Sequence, residues 1–166
     1  ILFDENLIED FGIEEKYKKI IKLAILNHNK DKIEEGLTEE ENLFCKIIRD
    51  ADKLDIITHA ITEYDFESVF WYSEFNCEEI NEELIKIMFE NHTLDYSKIK
   101  NNADLILSFY NMIYDLNFKS SLKELSDNKA LNIFTNRIYE NFNSEKVKEQ
   151  TKKVFEYTQN YLNQNI

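Results

Sequence analysis

Residues 38–61, TEEENLFCKIIRDADKLDIITHAI, contain neither proline nor glycine and repeat their apolar residues at helical spacing. Thr38 and Glu41 form a capping-box pair, the hydroxyl serving a backbone N–H and the carboxylate reaching back to the cap. A long helix is expected from about residue 39 to 63. On a wheel of about 100° per residue, Leu43, Phe44, Ile47, Ile48, Ala51 and Leu54 make one wide apolar face. Ile56, Ile57, Ala60 and Ile61 spread around the circumference, so the helix should be buried on most sides after residue 54. Into this setting fall Arg49, Asp50, Asp52, Lys53 and Asp55. Asp52 has Ile48 one turn before it and Ile56 one turn after it, and Asp55 points into the apolar face. A buried carboxylate is costly unless it is paired, hydrogen-bonded or bound to a metal. The acids therefore either pair with Arg49, Lys53 or groups elsewhere, or hold something from outside.

The remaining sequence extends the helical pattern in both directions. The 166 residues hold no proline and 2 glycines, whereas sheets and hairpins need those residues at their turns. The expected fold is all-α, a single-domain bundle of about seven helices over residues 1–166, without linker or repeat. Upstream, residues 4–11 form a short amphipathic piece stopped by Gly12. Tyr17, Ile20, Ile21 and Ala24 stripe a helix over 14–29, and 30–37 is a loop around Gly36. Downstream, Asn76 with Glu79 marks a start for a helix near 79–91. A further helix covers about 97–116, with Leu105, Ile106, Phe109, Met112, Ile113 and Leu116 inward. Ser121 with Glu124 marks a short helical turn. Two last helices fit 128–142 and 144–164, their aromatic residues being mostly core.

Charge and cysteine usage exclude several classes of function. A net charge of −13 repels phosphate backbones, so long nucleic acid is a poor partner. A small anion stays possible where a bound divalent metal reverses the local potential. No apolar run is long enough for a membrane span, and no signal peptide is visible. Cys45 and Cys77 stand apart, which fits packing residues in a reducing cytoplasm rather than a disulfide framework. The chain starts at Ile1 rather than Met, within helical-looking sequence, so residues are expected upstream.

His28 is the natural partner for the acids. It continues the Tyr17–Ala24 stripe at the end of its helix, and its neighbours Asn27 and Asn29 are polar. A histidine on an apolar face also serves as a satisfied core residue, and its approach to Asp52 depends on the path of 30–37. Residues 21–30, IKLAILNHNK, followed by 46–56, KIIRDADKLDI, resemble the HD superfamily of metal-dependent phosphohydrolases. That family binds metal through an early His, an adjacent His-Asp pair and a late Asp in an A-D-[RK]-L context. Ala51-Asp52-Lys53-Leu54 matches the late element, His28 matches an intermediate histidine, and the stretch YDLNF at 114–118 is similar to small HD proteins. The adjacent His-Asp pair is missing: His28 precedes Asn, His59 precedes Ala and His92 precedes Thr. The resemblance thus covers the middle and C-terminal part of such a domain.

The resemblance implies hydrolysis of a small phosphate ester, a nucleotide in most relatives, by metal-activated water. Asp52 and His28 would be ligands of a divalent ion (Mn, Fe, Co, Mg or Zn), Lys53 a phosphate contact, and Asp50 and Asp55 supports for the ligands. His59 and His92 receive no role. The competing expectation is a catalytically silent helical binding or scaffold protein.

Overall fold

The computed structural model describes residues 1–30, 32–62, 70 and 75–166. Among these residues there are seven α-helices and no strand, as the absence of proline implies. They are α1 (Glu15–Asn27), α2 (Glu39–Ile61), α3 (Glu82–Asn91), α4 (Asn102–Met112), α5 (Lys119–Asp127), α6 (Ala130–Asn141) and α7 (Glu145–Asn165). None is long and apolar enough to cross a membrane. The chain divides into two compact units, Ile1–Asp52 and Lys53–Ile166, and the division falls inside α2.

The larger unit is built around α4. Residues 102–107 of this helix are all buried, because α3 and α7 both pack against it. α7 also lies along α5 and α6. Phe109 and Phe134 stack face to face with centroids 3.6 Å apart, and Tyr110 is fully buried with its hydroxyl on Thr135. Where polar groups enter this core, backbone groups answer them. Gln150 takes the Ile80 N–H on Oε1 and gives Nε2–H to the Ile80 carbonyl, each at 2.8 Å. The Asp104 carboxylate accepts the N–H groups of Asn81 and Lys100. Both side chains supply partners that buried main chain needs outside regular structure.

The smaller unit has few apolar residues inside. A single turn of 3-10 helix, Leu7–Phe11, ends at Gly12 in a left-handed conformation (φ 61°), as its position after the amphipathic piece suggests. Ile8, Ile20, Ala24 and Cys45 are its buried apolar side chains among the described residues. Burial also pushes the Cys45 thiol pKa up, which suits a packing residue rather than a nucleophile. The Thr38–Glu41 box forms as read: Thr38 N–H and hydroxyl both donate to Glu41 Oε2, and Glu41 N–H donates to Thr38 Oγ1.

Several boundaries differ from expectation. Residue 63, the expected end of α2, lies outside the described residues. α3 is capped by Asn81, whose side chain accepts the Glu83 N–H, not by Asn76. The stretch 97–116 is not one helix: Asn101 caps α4 through the Asp104 N–H, and 3-10 turns at Tyr96–Lys98 and Ile113–Asp115 flank it. α5 is a full helix starting at Lys119, with Ser121 buried inside it rather than capping it.

The largest correction concerns α2. Leu43, Ile47, Ile48 and Ala51 are exposed, and Asp55 with them, so the expected inner face looks outward in its first half. The buried line is Cys45, Arg49, Lys53, Ile57 and Ala60, with Asp50 beside it. A wheel locates faces but not their orientation. Here the inward face carries charge because every charge on it finds a partner.

Candidate functional site

α1 ends at Asn27, and the last carbonyls of any helix lack partners within it. Arg49, 3% exposed, supplies them from α2. Its Nη1 donates to the carbonyl oxygens of Asn27 at 2.9 Å and Lys30 at 2.5 Å, with His28 O at 3.4 Å. A guanidinium suits this place doubly, since its charge also meets the negative end of the helix dipole. The fully buried Asn27 directs the chain beyond: Nδ2 donates to Leu23 O, and Oδ1 accepts the Glu34 N–H at 3.1 Å. The path of 30–37 is therefore tied back to α1, and the His28 end of α1 is anchored one turn before Asp52–Lys53 on α2.

His28 is half-buried at the C-cap of α1. Its Nδ1 lies 2.5 Å from the Ile25 carbonyl oxygen, so Nδ1 carries the proton and Nε2 is the lone-pair nitrogen. Metal-binding histidines have the same arrangement, a carbonyl holding one ring nitrogen and fixing the other as donor. Asp52 is also half-buried, and among the described residues its carboxylate makes no hydrogen bond or ion pair.

Its neighbours are engaged. Lys53, whose side chain is 11% exposed, pairs with Asp115 at 2.8 Å. Lys53 and Asp115 both fall in stretches that the resemblance singles out. Asp50 is buried and has a partner within the protein. Asp55 is exposed and sits 3.4 Å from His59 Nδ1. His92, given no role by the sequence, stacks on Tyr114 with centroids 4.3 Å apart, and its Nε2 lies 3.2 Å from the Tyr157 hydroxyl. Tyr114 is largely shielded from water, and this burial pushes its pKa up to about 12. The cluster is a structural one.

His28 and Asp52 have the chemistry of divalent-metal ligands, but they are two donors where such an ion takes four or more. Among the described residues no three His, Cys, Asp or Glu side chains converge to hold a metal. These residues alone do not fit the ion.

One feature of the larger unit had no signal in the sequence. A cavity of about 490 Å³ opens between α2, α4 and α6, reached by Asp55, His59 and Tyr96 and floored by Leu105, Phe109 and Phe134. Its residues come from positions up to 79 apart (Asp55 to Phe134), so only the fold assembles it.

No protein-family model matches the chain, and no curated protein or solved structure matches it.

Proposed function

We propose that the chain belongs to an HD-type metal-dependent phosphohydrolase acting on a nucleotide or related phosphate ester. Asp52 supplies one ligand and His28 a second, and the other donors come from outside the described residues. One observation carries this reading. Arg49, Asp50 and Lys53 are engaged within the protein and Asp55 lies exposed beside His59, whereas the half-buried Asp52 has no partner among the described residues. A half-buried carboxylate held without a partner costs stability that a site could justify. Its position in Ala51-Asp52-Lys53-Leu54 is the ligand position of the family it resembles. Lys53 is paired with Asp115 and has no part in this reading.

The test uses the longest reading frame containing this chain. Bound divalent metal is measured, and phosphate release is followed on a panel of nucleotides. Asp52→Ala should lower both by roughly tenfold or more, a loss expected even for groups that only support a metal's ligands. His28→Ala should act in the same direction, less strongly. Metal content and turnover unchanged in Asp52→Ala would remove the ligand assignment.

The alternative, a catalytically silent helical binding protein, is favoured by the cavity in Lys53–Ile166. A folded full-length protein that binds no metal and releases no phosphate would establish it over the enzyme.

A further inference from the structure

We propose that the cavity in Lys53–Ile166 is a binding site for a flat aromatic molecule bearing a protonated or N–H-rich group, an aromatic amine rather than an anion. The inference uses neither Asp52 nor His28 and stands apart from the phosphohydrolase reading.

Size comes first. At about 490 Å³ the cavity lies within the range of small-molecule sites, roughly 300–1,000 Å³. Its floor is apolar and well packed: Ala60, Leu105, Phe109 and Phe134 are each buried. The Phe109 and Phe134 rings lie parallel within 8°, a rigid aromatic surface rather than a set of mobile chains. With those four side chains nearly inaccessible, the apolar area that an aromatic ligand buries comes mainly from the half-buried Ile56 and Met112 beside them.

Polarity then selects the ligand's other end. Ser108 gives its only hydroxyl proton to Leu105 O at 2.7 Å, so its Oγ has only lone pairs left to offer. The Asp55 carboxylate, with 72% of its side chain exposed, accepts hydrogen bonds only. Nδ1 of His59 is turned to the Asp55 carbonyl at 2.9 Å. No lysine or arginine lines the cavity among the described residues. The Tyr96 hydroxyl can donate or accept, so the sign is set by Asp55: an anion entering there meets a carboxylate within a molecule of net charge −13, whereas an amine meets that carboxylate and the Ser108 Oγ.

The experiment titrates the full chain with two dyes of similar size, a cationic benzothiazolium and an anionic naphthalene sulfonate, followed by fluorescence and calorimetry. The cationic dye should bind one to one, about tenfold or more tighter than the anionic dye. Ser108→Phe, which adds a ring among the lining residues, should abolish that binding while circular dichroism stays unchanged. Asp55→Asn, at an exposed position that leaves the fold intact, should weaken the cationic dye by about tenfold and spare the anionic one. If Ser108→Phe fails to fold, Asp55→Asn decides. The proposal is overturned by anionic binding of equal strength, by no binding of either dye, or by no loss of affinity in Asp55→Asn. Several equivalents of cationic dye that ignore Ser108→Phe would equally overturn it, showing attraction to the acidic surface alone.

Discussion

Among the described residues, 53–166 bury a continuous set of apolar side chains running from Ile57 to Leu162, whereas 1–52 bury only Ile8, Ile20, Ala24 and Cys45. In the smaller unit the main interior tie is polar: Arg49 on three carbonyls and Asn27 on the loop that follows. Meanwhile Leu43, Ile47 and Ile48 remain on its surface. The difference teaches that one continuous helix can serve two kinds of adhesion. Apolar burial is worth about 1.5–3 kcal/mol for each large side chain and tolerates small shifts. A hydrogen bond nets only about 0.5–1.5 kcal/mol, but it fixes direction, and removing one partner exposes the other's full desolvation cost. The end of α1 that carries His28 is thus positioned by directional bonds. The unit that carries the cavity is held by bulk.

The contrast can be broken from the apolar side first. Phe134→Ala removes a fully buried ring that stacks on Phe109, and truncations of this kind cost about 3–5 kcal/mol. Urea unfolding should show that loss, with amide protection falling across α4, α6 and α7. A loss under about 1 kcal/mol would mean that this core is looser than its burial indicates.

From the polar side, Arg49→Met keeps bulk but leaves the Asn27, His28 and Lys30 carbonyls without their donor. The expected cost is about 2–3 kcal/mol, in the range for losing charge-assisted bonds in a buried place. Hydrogen exchange should quicken in the last turn of α1 and stay slow in α4. Arg49→Lys should recover only part of it, because one ammonium cannot reproduce the fork. Slow exchange retained at Leu23–Asn27 in Arg49→Met would sink the polar-tie account.

How far the sequence discloses all this depends on the range of the interaction. The Thr38–Glu41 cap and the Gly12 stop are local, and each is where the residue pattern puts it. Asn76 and Asn81 look alike before acidic residues, and only the latter has its side chain on a helical N–H. The orientation of α2 was hidden because the partners of its buried charges are remote. Arg49 answers carbonyls 19–22 residues back, and Lys53 answers Asp115, which lies beyond α3 and α4. Asp52 was legible as an acid between Ile48 and Ile56, but Ile48 proves exposed, and that Asp52 has no partner among the described residues is visible only in the structure. The cavity was not legible at all, since Phe109 and Phe134 read equally well as core.

The smallest effect separates the units by pH. Donation from the Thr38 N–H, and then from its hydroxyl, holds the Glu41 pKa below its ordinary 4.5. A carboxyl whose folded pKa is depressed stabilises the protein above its unfolded pKa, and that contribution fades as pH falls through the folded value. Thr38→Ala removes the hydroxyl but keeps the N–H, so it should cost about 1 kcal/mol at neutral pH, the usual worth of an N-cap. Part of the Glu41 shift should go with it. Thermal melts of the two proteins from pH 7 to pH 3 should therefore converge on acidification, because the wild type loses more of its cap than the variant. The convergence should show in the exchange of the first turn of α2 and not at the Ser144 cap of α7, where Val147 N–H donates to a hydroxyl that does not titrate. Parallel melts at all pH values would mean that the Thr38 hydroxyl contributes nothing to the ionisation of Glu41.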